Sequence, residues 1–275
     1  MLLNGLDQAS IIAIFFILSI GLPHGAFDGA VAHYLGANKS MNSLIKFVSS
    51  YILMAILVIV LWAFFPDFSL AFFLLISAIH FGWGDANARR RLPFVIQMLA
   101  HGSLVIFGIV YFHPEEVSIL FGLLTEEKFE FSMFLSEFLI LLVPFLILLC
   151  CIFAIANTEM RIRCFELFAL CGILASFPPL VGFAFYFCLI HTGRHMQNIF
   201  KVLKFSQSKQ KVYFQAIIFT VLSWIFGGVA LWYIDSGNYS IDLLRVTFVG
   251  LAALTVPHMI LVDFFYRRKL REALE

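Results

Sequence analysis

Charge is what this 275-residue chain has least of: Asp, Glu, Lys and Arg make up 13% of it, about half the share usual in a soluble domain. Hydrophobic residues reach 62% and mean hydropathy is +0.97, more than a soluble core can bury. A net charge of +1 gives no hint of a nucleic-acid partner. No charge tail, low-complexity tract or internal repeat interrupts the pattern. The five cysteines (Cys150, Cys151, Cys164, Cys171, Cys188) form no CxxC pair and no disulfide-like framework, and read as small buried residues. GxSxG, P-loop and GxGxxG motifs are missing, so no soluble-enzyme nucleophile or nucleotide site is in view. The opening MLLNGLDQAS has no basic n-region, so the first apolar run reads as a retained span.

What is present is a series of long apolar runs. A membrane helix needs about 20 such residues. Nine candidates follow: 9–35, 44–64, 69–87, 93–111, 131–156, 163–177, 180–200, 212–234 and 242–265. The sixth is short and ends at Pro178-Pro179, which leaves eight or ten spans as alternatives. The expectation is an all-α polytopic bundle, with 1–275 as a single integral membrane catalytic domain. Basic residues recur on alternate connections: Lys39 and Lys46; Arg89, Arg90 and Arg91; Arg161 and Arg163; Lys201, Lys204, Lys209 and Lys211; Arg267, Arg268, Lys269 and Arg271. The intervening connections carry Asp7, Asp67, the Glu115/Glu116/Glu126/Glu127 loop and Asp235, with Lys128 and Arg245 as exceptions. Cytoplasmic loops concentrate Lys and Arg. This predicts an outside N-terminus, a cytoplasmic C-terminus and a multi-pass protein of the cell inner membrane.

Into these spans the chain puts seven of its eight histidines: His24, His33, His80, His101, His191, His195 and His258. His113, before Pro114, reads as a loop residue. Ionisable groups inside spans are rare and face the bundle interior, where they mark function. His80 and His258 lie nine residues from Arg89 and Arg267; His101 and His191 lie ten from Arg91 and Lys201. That is roughly 14–15 Å of helix, near the middle of a hydrocarbon core about 30 Å thick. His33, six residues from Lys39, is too near the rim to share this level.

His191 and His195 are spaced i, i+4, so both leave one helix face and can chelate one metal. Imidazole suits zinc, copper, iron or nickel. Cys188, one turn before His191, is a candidate thiolate. Carboxylates follow the histidines closely: Asp28 after His24 at i+4, Asp85 after His80 and Asp263 after His258 at i+5. A metal-bound imidazole commonly donates its other N–H to a carboxylate. Asp28, Asp85 and Asp263 are therefore candidate orienting partners, each expected for the histidine of its own helix. Gly21, Pro23 and Gly25 predict a bend beside His24. Among the 34 phenylalanines and other aromatics, Phe81, Trp83, Phe183, Phe185, Tyr186 and Phe187 neighbour these histidines and are candidate walls of a substrate site.

PHGAFDGAVAH (23–33), HFGWGD (80–85), FCLIHTGRHMQN (187–198) and PHMILVD (257–263) resemble, in order, motifs of the Brp/Blh family of membrane β-carotene 15,15′-dioxygenases. The resemblance runs from the first span to the last. It implies an Fe(2+) enzyme that uses O2 to split the central double bond of β-carotene into two all-trans-retinals, and a functional link to a retinal-binding rhodopsin. It also implies iron ligands at His24, His80, His191 and His195. His258 and His101 are left as further ligands or substrate-side residues.

Two other readings start from the same residues. A metal-ion transporter would also carry intramembrane histidines, but as a file across the bilayer and often within inverted repeats; here they share one level. A di-iron desaturase or hydroxylase would show clustered histidine boxes, and this chain has no HH dipeptide.

Overall fold

A computed structural model describes residues 6–37, 39–88, 90–203, 208–234 and 236–266. Arg89, Lys204, Arg267, Arg268, Lys269, Arg271 and Asp235, used above to orient the chain, lie outside the described residues. The described chain is helical, and its helix ends follow local chemistry. α1 (Gln8–Phe16) is capped by Asp7, which accepts from the Ser10 N–H. A π turn (Ile17–Gly21) and a 3-10 stretch (Leu22–Phe27) lead into α2 (Asp28–Leu35), which ends on Gly36 at φ +92°. α3 (Met41–Phe64) is capped by Ser40, and α4 (Pro66–Asp85) begins on a proline. α5 (Arg91–Phe112) precedes α6 (Pro114–Thr125). α7 (Glu130–Ile140) and α8 (Leu142–Ala156) follow, then α9 (Thr158–Ser176). α10 (Pro179–Phe185), a π turn (Tyr186–His191) and α11 (Thr192–Leu203) form one continuous stretch. α12 (Lys209–Tyr233) and α13 (Tyr239–Met259) close the bundle, the latter running on as a π turn (Ile260–Tyr266).

Seven of these stretches are long and apolar enough to cross a membrane: Gln8–Leu35, Met41–Phe64, Pro66–Asp85, Arg91–Phe112, Glu130–Ala156, Lys209–Tyr233 and Tyr239–Tyr266. The expected sixth and seventh spans correspond to α9 and to α10–α11, which are helical but carry Arg161, Arg163, Glu166 and Arg194. The bundle faces outward with hydrocarbon: Trp62 is the buried residue of α3, while Leu53, Leu57, Phe64, Phe72, Phe226 and Trp232 are exposed. Water would reject so much exposed apolar surface; lipid does not.

The structure departs from the sequence expectation in two places. The acidic connection expected as a loop contains α6. Pro114 starts it, Glu115 and Glu116 sit in its first turn, and Val117, Leu120, Phe121 and Leu124 form a buried helical stripe. The expected 131–156 span is interrupted at Leu141. Pro144 has no N–H for the Ile140 carbonyl, so the ladder breaks one turn earlier. Arg245, an exception to the charge pattern, donates from Nε to the Leu123 carbonyl at 2.7 Å, placing its charge at the C-terminal end of α6 where cations are favoured. His113, expected as a plain loop residue, joins α5 to α6 and donates from Nε2 to the Leu174 carbonyl at 2.8 Å.

α4 and α5 approach each other most closely through glycine. A Cβ on Gly82 would lie 2.0 Å from the Met98 carbonyl oxygen, and one on Gly102 would lie 1.8 Å from that of Ala78. Gly82 belongs to the HFGWGD motif, so its lack of a side chain sets how near His80 stands to α5. Gly102→Ala is expected to separate the two helices and cost about 1–3 kcal/mol, read as a lowered Tm of the purified protein in detergent.

Candidate metal centre

His80 and His195 stand on regular helix, whereas His24, His191 and His258 stand in or beside irregular turns. Pro23 removes the N–H that the Ser19 carbonyl would accept, and the backbone passes from π to 3-10 just before His24. Pro257 does the same for the Ala253 carbonyl, immediately before His258 and a π turn carrying Asp263. A third π turn ends on His191. Each turn changes the direction in which the side chain leaves its helix.

Five imidazoles meet as a result. The His24 ring centre lies 5.3 Å from those of His191 and His195 and 5.2 Å from that of His258. His80 is 4.9 Å from His191 and 5.1 Å from His258, and His195 is 5.1 Å from His258. All five are buried. One nitrogen each from His24, His80 and His191 falls within 4.8 Å of the others, close enough to share an ion.

The carboxylates pair across the bundle rather than along their own helices. His80 donates from Nδ1 to Asp263 at 2.6 Å. His258 donates from Nδ1 to Asp28 at 2.7 Å. His24 Nδ1–H is taken instead by the Gly21 carbonyl of its own turn. In a helix of ordinary pitch, i+4 would have brought Asp28 to His24; the 3-10 stretch between them moves it round to His258. Asp28 is also held by the Tyr51 hydroxyl at 2.8 Å. Asp85 faces no histidine of the cluster: it accepts from the Tyr186 hydroxyl at 2.7 Å and pairs with Arg194 at 2.9 Å. Arg194 continues to Glu166 at 2.8 Å, and Glu166 to Arg163 at 2.7 Å.

With its Nδ1 proton committed, each ring of His24, His80 and His258 presents a bare Nε2 lone pair. The buried Nε2 atoms of His80, His191 and His258 have no hydrogen-bond partner within the protein. Leaving such atoms unpaired costs about 1–3 kcal/mol each, and a cation at their meeting point would remove that cost. The donor set therefore fits a metal ion bound by neutral imidazole.

A family model described as beta-carotene 15,15′-dioxygenase matches residues 15–266. The chain belongs to the β-carotene 15,15′-dioxygenase family. A curated relative of that name from uncultured marine bacterium 66A03 is 37% identical over 264 residues, spanning 93% of each chain. No solved structure matches. The matched region runs from α1 to the last π turn and includes all five clustered histidines.

The other residues singled out from sequence separate into distinct places. His101 is buried but faces elsewhere: Nδ1 donates to the Gln97 carbonyl at 3.1 Å, and Nε2 lies 3.9 Å from Glu166. His33 is half-buried on α2. The Cys188 thiol donates to the Phe16 carbonyl at 3.3 Å. Phe81 packs on His191 at 4.7 Å, and Phe187 on His24 at 5.2 Å. Phe183 stacks on Phe187, Trp83 is half-buried and Phe185 points outward. Tyr186 is enclosed, with its hydroxyl on Asp85. Local spacing does not reveal two contributors, Tyr51 on Asp28 and Glu166 as the partner of Arg194. The lone tyrosine of the 44–64 run is the available signal for the first.

Asp263→Asn leaves His80 without its anionic acceptor. The expected result is a roughly 10–100-fold loss of metal affinity with helix content unchanged, measured by competition against a chelator.

Proposed function

We propose that the chain cleaves the central 15,15′ double bond of β-carotene with O2 to give two all-trans-retinals, using one Fe(2+) held by His24, His80, His191 and His195, with His258 as a fifth nitrogen at the same centre. The observation that carries this is the convergence of five buried imidazoles in a chain of this family, three of them with unpartnered Nε2 atoms. Imidazole alone suits several transition metals; iron is chosen for the dioxygenase chemistry of the family name.

Bound iron would supply the activation of dioxygen. The rest falls to the chain's own residues. Asp263 and Asp28 hold a proton on Nδ1 of His80 and His258, so each Nε2 stays a lone-pair donor. Phe81 and Phe187 flank His191 and His24 with hydrocarbon and keep water away. Tyr186, tied to Asp85, supports this wall from behind. A polyene offers no proton to remove, so the site needs no general base.

The proposal includes a location. Nine crossings are reached by adding α9 and the α10–α11 stretch to the seven apolar ones. Alternating loop charge supports an outside N-terminus, a cytoplasmic C-terminus and residence in the inner membrane. Carotene and retinal both partition into lipid, so a buried centre within a bundle meets its substrate laterally and releases product toward a retinal-binding rhodopsin.

Produced in carotene-making cells, the protein is expected to yield two retinals per β-carotene by HPLC, to stop under argon, and to bind one iron per chain. The His191→Ala/His195→Ala double variant should fall to background in both retinal and iron. Retinal production at the parental level in that variant would overturn the centre; two irons per chain would favour a di-iron oxidase.

A further inference from the structure

Beside the histidine cluster, and separate from it, lies an apolar cleft between α4, α5, α6, α10 and α13. It holds about 80 Å³ of free space, room for several water-sized groups, and part of it is open to the outside. Its lining is hydrocarbon apart from the buried Ser77. Interiors normally close on such space, because unfilled apolar volume forfeits packing. A cleft kept open next to a reactive centre therefore asks for an occupant.

Two features join the cleft to the histidines. The first is α4 itself. Leu70, Phe73 and Ser77 line the cleft and precede His80 by ten, seven and three residues. That spacing keeps them on the His80 side of the helix. Leu70 is then ~15 Å from His80 along the axis. The second is a row of aromatic rings. Phe183 forms part of the cleft wall and stacks on Phe187, with centres 5.4 Å apart and planes within 12°. Phe187 in turn stacks on His191 at 6.0 Å and 13°. Phe183, Phe187 and His191 thus form one aromatic stack that leads from the cleft wall to the cluster.

We propose that the cleft receives one terminal hydrocarbon ring of the carotenoid, with the polyene running along Phe183 and Phe187 so that its central bond reaches the histidines. α6 forms the far wall through Val117, Leu120 and Leu124, and its distance from the cluster fixes how long a half-chain the enzyme accepts. The assignment rests on the carotenoid-cleaving reading and names the binding site for one end of that substrate.

The test compares two ligands on detergent-solubilised, iron-loaded protein. β-Carotene has a ring at both ends and must place one in the cleft; β-apo-8′-carotenal keeps one ring and the central bond but is cut short at the other end, so it can seat its ring on the opposite side of the cluster and turn only its short end toward the cleft. Binding is read from the shift of the carotenoid visible absorption, and turnover separately by HPLC. Val117→Phe narrows the cleft. It is expected to raise Kd and KM for β-carotene about tenfold or more, the scale of an overpacking penalty, and to leave the apocarotenal within about twofold. Leu120→Ala, which removes wall rather than adding it and tests the site if the larger residue prevents folding, should weaken β-carotene by about three- to tenfold with the apocarotenal again unchanged. Unchanged β-carotene affinity in a folded variant, or equal weakening of both ligands, would overturn the assignment. Ring-selective loss of binding in a protein that cleaves neither compound would uphold the cleft and overturn the reaction instead.

Discussion

Two crossed carboxylate–imidazole pairs, Asp28 with His258 and Asp263 with His80, are the constraint on which the rest of this structure hangs. A carboxylate buried in apolar surroundings is tolerated only with partners, and a buried imidazole N–H must find an acceptor. Each group here solves the other's problem. The pairs tie the first span to the last and the third to the last, so the Asp28–His258 pair forms only when the two ends of the chain meet. Tyr51 adds α3 to the same joint through Asp28.

Irregular backbone makes that joint possible. A regular α-helix would send His24 and Asp28 to one face and pair that carboxylate locally. Pro23 and Pro257 break the regular ladder beside His24 and His258, and the π and 3-10 turns redistribute the side chains between neighbours. Unregistered backbone costs energy in an apolar bundle. Its concentration around the cluster matches the habit of π turns to occur where a site needs an unusual side-chain direction.

Polar and apolar needs are kept apart around the cluster. On one side the Asp85–Arg194–Glu166–Arg163 chain of charges holds α4, α9 and α11 together. On the other, Phe81, Phe183 and Phe187 pass from the histidines to the cleft without a charged group. Tyr186 bridges the two, with its ring against Phe81 and its hydroxyl on Asp85.

Much was legible in the residues alone. Low charge and long apolar runs determined a helical membrane bundle, because lipid permits few other backbones. The repeated placement of histidine inside those runs marked a site, and i, i+4 spacing put His191 and His195 on one face. Depth along a helix, however, says nothing of which way a side chain turns. His101 stands at the same computed level as His80 yet packs against Gln97 and Glu166, while His258 joins the cluster as closely as any. Nor can local spacing choose a hydrogen-bond partner when a proline reshapes the turn. Which histidines meet, which carboxylate His80 and His258 hold and where the cleft lies were decided by helix packing: close approach at Gly82 and Gly102, and the irregular turns beside His24, His191 and His258.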